Sequence, residues 1–197
     1  MTGGYKRERL LDLARLRVQT RWKGYLHPED YGYDFRDLVS PYSRTAGNVN
    51  ADVMLFLQDW SSHDRLEKRG FNPLVAQYGH TPSLKTNLRL KALLLQHLGL
   101  QLQETYGTNL FPFIKAGGAS ASIPKRDLVR AAEMFGVPQI EIVKPRIVLA
   151  LGSSTADALR RAGGHVYELP HPAARISNAE MNEAWRGARA FLLSLLY

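Results

Sequence analysis

The stretch that decides the fold is residues 51–62, ADVMLFLQDWSS. Five consecutive apolar residues, Val53 to Leu57, are followed directly by Gln58 and Asp59. An apolar run without polar alternation is typical of a strand covered on both faces, as in a parallel sheet. A carboxylate just beyond such a strand lies at the sheet edge where open α/β folds bind ligands. Asp59 is therefore a candidate site residue, although aspartate after a strand is also a common turn residue.

The length of the chain, 197 residues, suits one α/β domain with a substantial core. We predict a single domain over residues 1–197, in which residues 1–50 form an N-terminal helix and a long connection. The sequence has neither an apolar run long enough to cross a bilayer nor a charged and then apolar secretory start. It has no cysteine, which excludes disulfides and cysteine-ligated zinc or iron–sulfur centres. These features predict a cytoplasmic protein.

The charge balance predicts a polyanionic partner. The chain carries 26 Lys and Arg against 18 Asp and Glu, which gives a formal net charge of +8. A basic domain of this size favours nucleic acid. The first helix, over residues 5–20, has a basic face that could contact phosphates, with a solvated helix face as the alternative. We predict no cofactor and no metal, because no metal-ligand spacing relates the histidines His27, His63, His80, His97 and His171.

Strands and helices alternate along the rest of the chain. Four strands are predicted, over residues 52–57, 104–110, 146–151 and 165–169. Helices are predicted over residues 83–98, 124–135, 138–143, 153–163 and 178–196, whereas residues 21–50 and 60–80 lack clear periodicity. Such alternation favours parallel pairing through right-handed crossovers. The expected fold is a three-layer α/β/α sandwich with a short, mainly parallel four-stranded sheet.

Polar residues follow each of the four predicted strands. They are Gln58-Asp59, Asn109, Gly152-Ser153-Ser154 and His171. Because the carboxyl ends of parallel strands lie on the same edge of a sheet, one crevice can collect these residues. The glycine–serine turn opens a helix, and its free N–H groups could bind phosphate. Capping of that helix by Ser153 or Ser154 is the alternative, and the spacing is not that of a P-loop.

Five short motifs follow one another in chain order between residues 51 and 177. They are Gln58-Asp59, Thr81-Pro82-Ser83-Leu84, Thr108-Asn109-Leu110, Ala150-Leu151-Gly152-Ser153 and His171-Pro172-Ala173-Ala174. Together they resemble the uracil-DNA glycosylase superfamily. In order, they are similar to its first motif, Gly-Gln-Asp-Pro-Tyr-His, its proline-rich loop, its strand-end asparagine, its Leu-Gly or Gly-Ser turn and its late His-Pro-Ser motif.

The resemblance implies an enzyme that flips uracil, or a related deaminated base, out of DNA and hydrolyses its N-glycosidic bond. Asp59 would position water and stabilise the positive charge that grows on the deoxyribose. His171 would donate a hydrogen bond to O2 of the departing base. Asn109 would pair its amide with N3–H and O4 of uracil, because an amide offers a donor and an acceptor side by side. Gln58 would contribute its backbone beside the base.

The resemblance also implies contacts around the flipped nucleotide. A stacking aromatic is expected between the first motif and the proline-rich loop, where Phe71 stands with Tyr78 as its rival, although either ring could be ordinary core. Arg175 occupies the position of the residue that wedges into the vacated base stack. Contacts to the DNA backbone are expected from Ser83, Gly152 and Ser153.

The chain departs from the superfamily pattern inside its first motif. Leu57 replaces the glycine, and Trp60-Ser61-Ser62 replaces Pro-Tyr-His. The tyrosine that excludes the thymine methyl group is therefore missing, so discrimination against thymine would have to come from elsewhere. Ala173 replaces the serine of the late motif.

The functional prediction is a monomeric, monofunctional DNA glycosylase that leaves an abasic site. Two other classes stay open on the residues alone. One is a non-enzymatic nucleic-acid-binding protein on the same fold, which the altered first motif and the +8 charge favour. The other is a small-molecule hydrolase or transferase that uses the Gly152-Ser153 turn to bind phosphate.

Overall fold

A computed structural model describes residues 3–195 and contains a four-stranded sheet in the order β2-β1-β3-β4. The strands are β1 (Val53–Asp59), β2 (Tyr106–Phe111), β3 (Ile147–Leu151) and β4 (Tyr167–Leu169). All three strand pairs are parallel. The helices are α1 (Gly3–Gln19), α2 (His63–Arg69), α3 (Pro73–Tyr78), α4 (Lys85–Leu93), α5 (Lys125–Ala131), α6 (Val137–Val143), α7 (Ser153–Arg161) and α8 (Asn178–Ser194).

Strand β1 forms the centre of the sheet, as its apolar run predicts. Its alternate side chains enter two separate cores, with Met54 and Phe56 on one face and Leu55 and Leu57 on the other. Helices α1, α5, α6 and α7 cover the first face, whereas α4 and α8 cover the second. This arrangement confirms the three-layer α/β/α fold and its parallel sheet.

The register of the strands places polar residues side by side. Leu57 of β1 pairs with Asn109 of β2, and two residues further on Asp59 pairs with Phe111. Since β1 and β2 are parallel, Asp59 and Asn109 both lie toward the carboxyl edge of the sheet.

A buried arginine holds the long connection over residues 21–50. Arg17 of α1 is fully buried, although arginine is mostly exposed in proteins. Its guanidinium donates to both carboxylate oxygens of Glu29, at 3.2 and 2.7 Å, and to the carbonyl oxygens of Phe35 and Leu38. The connection is therefore packed against α1, and it contributes the buried rings of Tyr33 and Tyr42 to the interior.

Several predicted element boundaries are wrong. Residues 60–80 contain the two short helices α2 and α3. The side chain of Asn72 caps α3 by accepting hydrogen bonds from the backbone N–H groups of Leu74 and Val75. The short helix predicted over residues 138–143 is observed as α6 with Pro138 in its first turn, and a π turn over Ala132–Gly136 joins it to α5. The last helix ends at Ser194, and Leu196 lies outside the described residues. Within residues 3–195, no helix combines the length and apolar character required to cross a membrane.

Candidate active site

A cleft of about 260 Å³ opens at the carboxyl edge of the sheet. Asp59 of β1, Asn109 of β2 and His171, two residues beyond β4, all line it. The structure thus brings together three of the side chains that the sequence places at successive strand ends. Asp59 is the only carboxylate among the described lining residues, whereas the cations are Arg65, Arg69 and Lys115. The cleft is therefore basic around one acidic group.

Asp59 makes contacts with two neighbouring side chains. Its Oδ2 lies 3.2 Å from Nζ of Lys115, and its Oδ1 accepts a hydrogen bond of 3.3 Å from Nε2 of Gln58. The side chain of Asp59 is 17% exposed, so the carboxylate is accessible from the cleft. Asp59 does not cap the following helix, because the N-cap residue of α2 is Ser62. The carboxylate therefore lines the cleft and is not engaged with the helix N-terminus.

Asn109 is held in one orientation by Ser40. The Ser40 Oγ accepts hydrogen bonds from the backbone N–H groups of Asn109 and Tyr42, at 3.0 and 3.3 Å. Its single proton is then donated to Oδ1 of Asn109, at 2.7 Å. This fixes which end of the amide is oxygen and leaves Nδ2 for a ligand in the cleft that Asn109 lines. The second lone pair of Oδ1 can still accept a hydrogen bond.

His171 is held with a defined ring orientation. The backbone N–H of Ala173 donates to Nδ1 of His171 at 3.1 Å, so the proton of the neutral ring is on Nε2. Burial lowers the pKa of His171 below its ordinary value, and the nearby charge of Asp59 opposes the shift only in part. Neutral His171 therefore presents a hydrogen-bond donor at neutral pH. The Pro172 carbonyl oxygen accepts a hydrogen bond of 3.0 Å from Arg89 of α4, which anchors this loop.

The sequence of this protein matches the family model of the uracil DNA glycosylase superfamily over residues 45–191. The chain belongs to the uracil-DNA glycosylase superfamily. The match contains all four strands, and with them Asp59, Asn109 and His171. Membership indicates a DNA glycosylase that acts on bases in DNA. A comparison with curated protein sequences finds no match.

The other predicted site residues of this superfamily member lie outside the cleft lining. Phe71 is 55% exposed and packs on the ring of Tyr33 at a centroid distance of 5.1 Å. Tyr78, the alternative candidate for the stacking aromatic, is 38% exposed. The remaining predicted contacts with DNA are exposed or half-buried and do not line the cleft: Ser83, Gly152, Ser153 and Arg175. Their roles stay predictions.

The turn after β3 supports the cleft indirectly. Gly152 has a φ of +109°, a conformation that side chains rarely adopt, and a Cβ placed there would lie 3.7 Å from Cβ of His171. Its N–H donates to the carbonyl oxygen of Leu169, the last residue of β4, two residues before His171. Ser153 begins α7, and neither it nor another side chain makes an N-cap hydrogen bond there.

The sequence prediction missed several residues of the site. Ser40 lies in the connection without periodicity, 69 residues before the asparagine that it contacts. Lys115 follows β2 among loop residues, and nothing in its sequence context distinguishes it from a surface lysine. Three aromatic side chains line the cleft where Phe71 was expected: Tyr33, Tyr42 and Trp60. Trp60 stands within the divergent part of the first motif, and the indole N–H donates to the carbonyl oxygen of Gly79.

Proposed function

We propose that this protein is a monofunctional glycosylase that hydrolyses the N-glycosidic bond of uracil, or of a related deaminated base, in DNA. The observation that carries the proposal is the shared cleft of Asp59, Asn109 and His171 in a member of this superfamily. The net charge of +8 and the basic lining of the cleft favour a polyanionic substrate. The protein is proposed to act as a monomer.

The side-chain amide of Asn109, which Ser40 holds in one orientation, would recognise the base. Nδ2 of Asn109 would donate to O4 of uracil, while the free lone pair of Oδ1 would accept from N3–H. Cytosine carries an amino donor in place of O4 and lacks the N3 proton, so both contacts would be lost. A site that is built to hydrogen-bond one edge rejects an analogue without it by a large factor, because buried polar groups are then left unpaired.

Bond cleavage would use the two remaining groups. As the glycosidic bond breaks, positive charge develops on the deoxyribose and negative charge on the base. Nε2–H of His171 would donate to O2 of the departing base and stabilise that negative charge. The carboxylate of Asp59 would stabilise the sugar cation and orient the water molecule that attacks C1′.

The first experiment incubates the purified protein with single-stranded and duplex oligonucleotides, and then cleaves abasic sites with alkali. The oligonucleotides contain uracil, hypoxanthine, xanthine or thymine at one position. We expect strand scission with uracil or another deaminated base, and only after alkali. Thymine is included because Ser61, a small residue, stands where the superfamily motif has tyrosine. The proposal is wrong if none of these substrates is cleaved, and tight, salt-sensitive DNA binding without base release would select the non-enzymatic alternative.

A further inference from the structure

Lys115 is a buried cation beside the proposed catalytic carboxylate. Its side chain is 6% exposed, and Nζ lies 3.2 Å from Oδ2 of Asp59. The same Nζ donates to the carbonyl oxygen of Ala119 at 2.9 Å. Lys115 and Ala119 both line the cleft. One amino group therefore joins the carboxylate to the glycine-containing loop, residues 116–120.

The backbone of Lys115 is fixed independently of its side chain. Its carbonyl oxygen accepts a hydrogen bond of 2.9 Å from the N–H of His63, at the start of α2. Two residues later, the carbonyl oxygen of Gly117 accepts from the N–H of Asp64 at 3.2 Å. The loop is thus tied to the segment that directly follows β1, although its two glycines predict flexibility from sequence. This leaves the Lys115 side chain aimed at Asp59 across a short span.

The pair has an electrostatic consequence for the proposed reaction. An isolated carboxylate in a partly buried cleft would repel the base that departs as an anion. The ammonium group of Lys115 offsets that charge on the Oδ2 side, while Oδ1 accepts a hydrogen bond from the neutral amide of Gln58. The contact holds the carboxylate in one orientation, with its charge offset beside the place where the base departs.

We propose that Lys115 is the positioning residue of the active site, which orients Asp59 and couples it to the order of loop 116–120. This inference rests on the proposed glycosylase function. Removal of the ammonium group would free the carboxylate to rotate, and a misplacement of a catalytic group by about 1 Å can reduce a rate by about 100-fold. The effect belongs to the chemical step and not to DNA binding.

The test measures single-turnover base release and DNA affinity for Lys115→Met, Asp59→Asn and the double variant. We expect Lys115→Met to slow base release by about 100-fold with affinity changed less than about threefold. Because Lys115 acts through Asp59, the double variant should be no slower than Asp59→Asn alone. Lys6→Met is the matched control, since Nζ of Lys6 also donates to two acceptors, the carbonyl oxygens of Val49 and Val143, but lies outside the cleft. Its rate of base release should equal that of the wild type.

A second measurement keeps the inference testable without activity. Hydrogen exchange should become faster at the amides of loop 116–120 in Lys115→Met and stay unchanged there in Lys6→Met. If the methionine variant does not fold, Lys115→Gln, which lacks the charge and is one atom shorter than lysine, takes its place with the same expected result. The inference is wrong if the rate losses of the two single variants multiply in the double variant. It is also wrong if Lys115→Met loses only DNA affinity, or if hydrogen exchange in loop 116–120 is unchanged. A wild-type protein that releases no base would instead refute the proposed function, and the inference with it.

Discussion

Within residues 3–195, two ion pairs bury the cation of a lysine or arginine against a carboxylate, and they differ in what else the cation contacts. Arg17 is 0% exposed and Glu29 19%, whereas Lys115 is 6% exposed and Asp59 17%. The guanidinium of Arg17 makes four hydrogen bonds, two to Glu29 and two to backbone carbonyl oxygens. The ammonium of Lys115 makes one backbone contact besides its pair. By exposure alone, the two pairs would be judged alike.

The two ion pairs differ in whether they face the cleft. The Arg17–Glu29 pair connects α1 to residues 28–38, and neither partner lines the cleft. A bidentate pair of this kind fixes the geometry of both groups. The Lys115–Asp59 pair lines a cavity and leaves carboxylate lone pairs accessible to a ligand. We expect the first pair to stabilise the fold, and we propose that the second, which faces the cleft, takes part in the reaction. Substitutions in each pair separate these two roles.

The largest difference is expected between Asp59→Asn and Glu29→Gln, each of which converts one carboxylate into an amide. Asp59→Asn should slow base release by a factor on the order of 10²–10⁴, because an amide neither orients water as a base nor stabilises a cation well. Glu29→Gln should leave the rate of base release unchanged in the folded protein. Single-turnover kinetics at saturating DNA measure both. Equal losses in the two variants would contradict the distinction.

Arg17→Met should destabilise the fold by about 3–5 kcal/mol, because it leaves the Glu29 carboxylate without its buried partner. Chemical denaturation measures the free energy of unfolding. At a temperature where the variant is folded, its rate of base release should be that of the wild type. A large rate loss with unchanged stability would mean that Arg17 belongs to the site.

Ser40→Ala removes a hydrogen bond between neutral groups, and its effect can be compared with that of the two ion pairs. The substitution removes the donor to Oδ1 of Asn109 and the acceptor of two backbone N–H groups, so we expect a loss of about 1–3 kcal/mol in stability. It also frees the Asn109 amide to flip, which should reduce the preference for uracil over cytosine. Denaturation and competition between the two substrates measure the effects. Unchanged discrimination would show that Ser40 does not orient the amide.

His80 shows what a buried polar group without a partner contributes. Its Nδ1 donates to the carbonyl oxygen of Tyr78, but Nε2 is buried and has no hydrogen-bond partner. Burial lowers the pKa of His80 from 6.5 to about 4. Protonation therefore favours the unfolded chain, and stability that is complete above pH 6.5 is lost as the pH falls toward 4.

The slope from one such group approaches about 1.4 kcal/mol per pH unit. Denaturation of the wild type and His80→Gln between pH 7 and 4 measures it as the difference between the two proteins. The variant should lose less stability on acidification. Identical pH dependence would exclude His80 as the source.

The sequence predicted the strands and their parallel pairing better than the side-chain contacts between distant segments. The apolar run of β1, and the polar residues after the strands, predicted a parallel sheet with Asp59, Asn109 and His171 at one edge, because strand direction alone determines which ends meet. Ser40 and Lys115 could not be found in this way. Their roles depend on tertiary packing of segments without periodicity, and a serine or lysine in a loop is usually exposed. The location of Phe71 outside the cleft has the same origin, since α2 and α3 reorganise the segment in which it stands.

The most direct test of the proposed glycosylase activity is to measure the free base that the wild-type protein releases from a duplex containing a single uracil. Chromatography of the reaction mixture should detect free uracil in a one-to-one ratio with alkali-labile abasic sites, with the strand intact before alkali. Bound DNA with no free uracil, hypoxanthine or xanthine from the corresponding duplexes would contradict the assignment of the cleft as a glycosylase site.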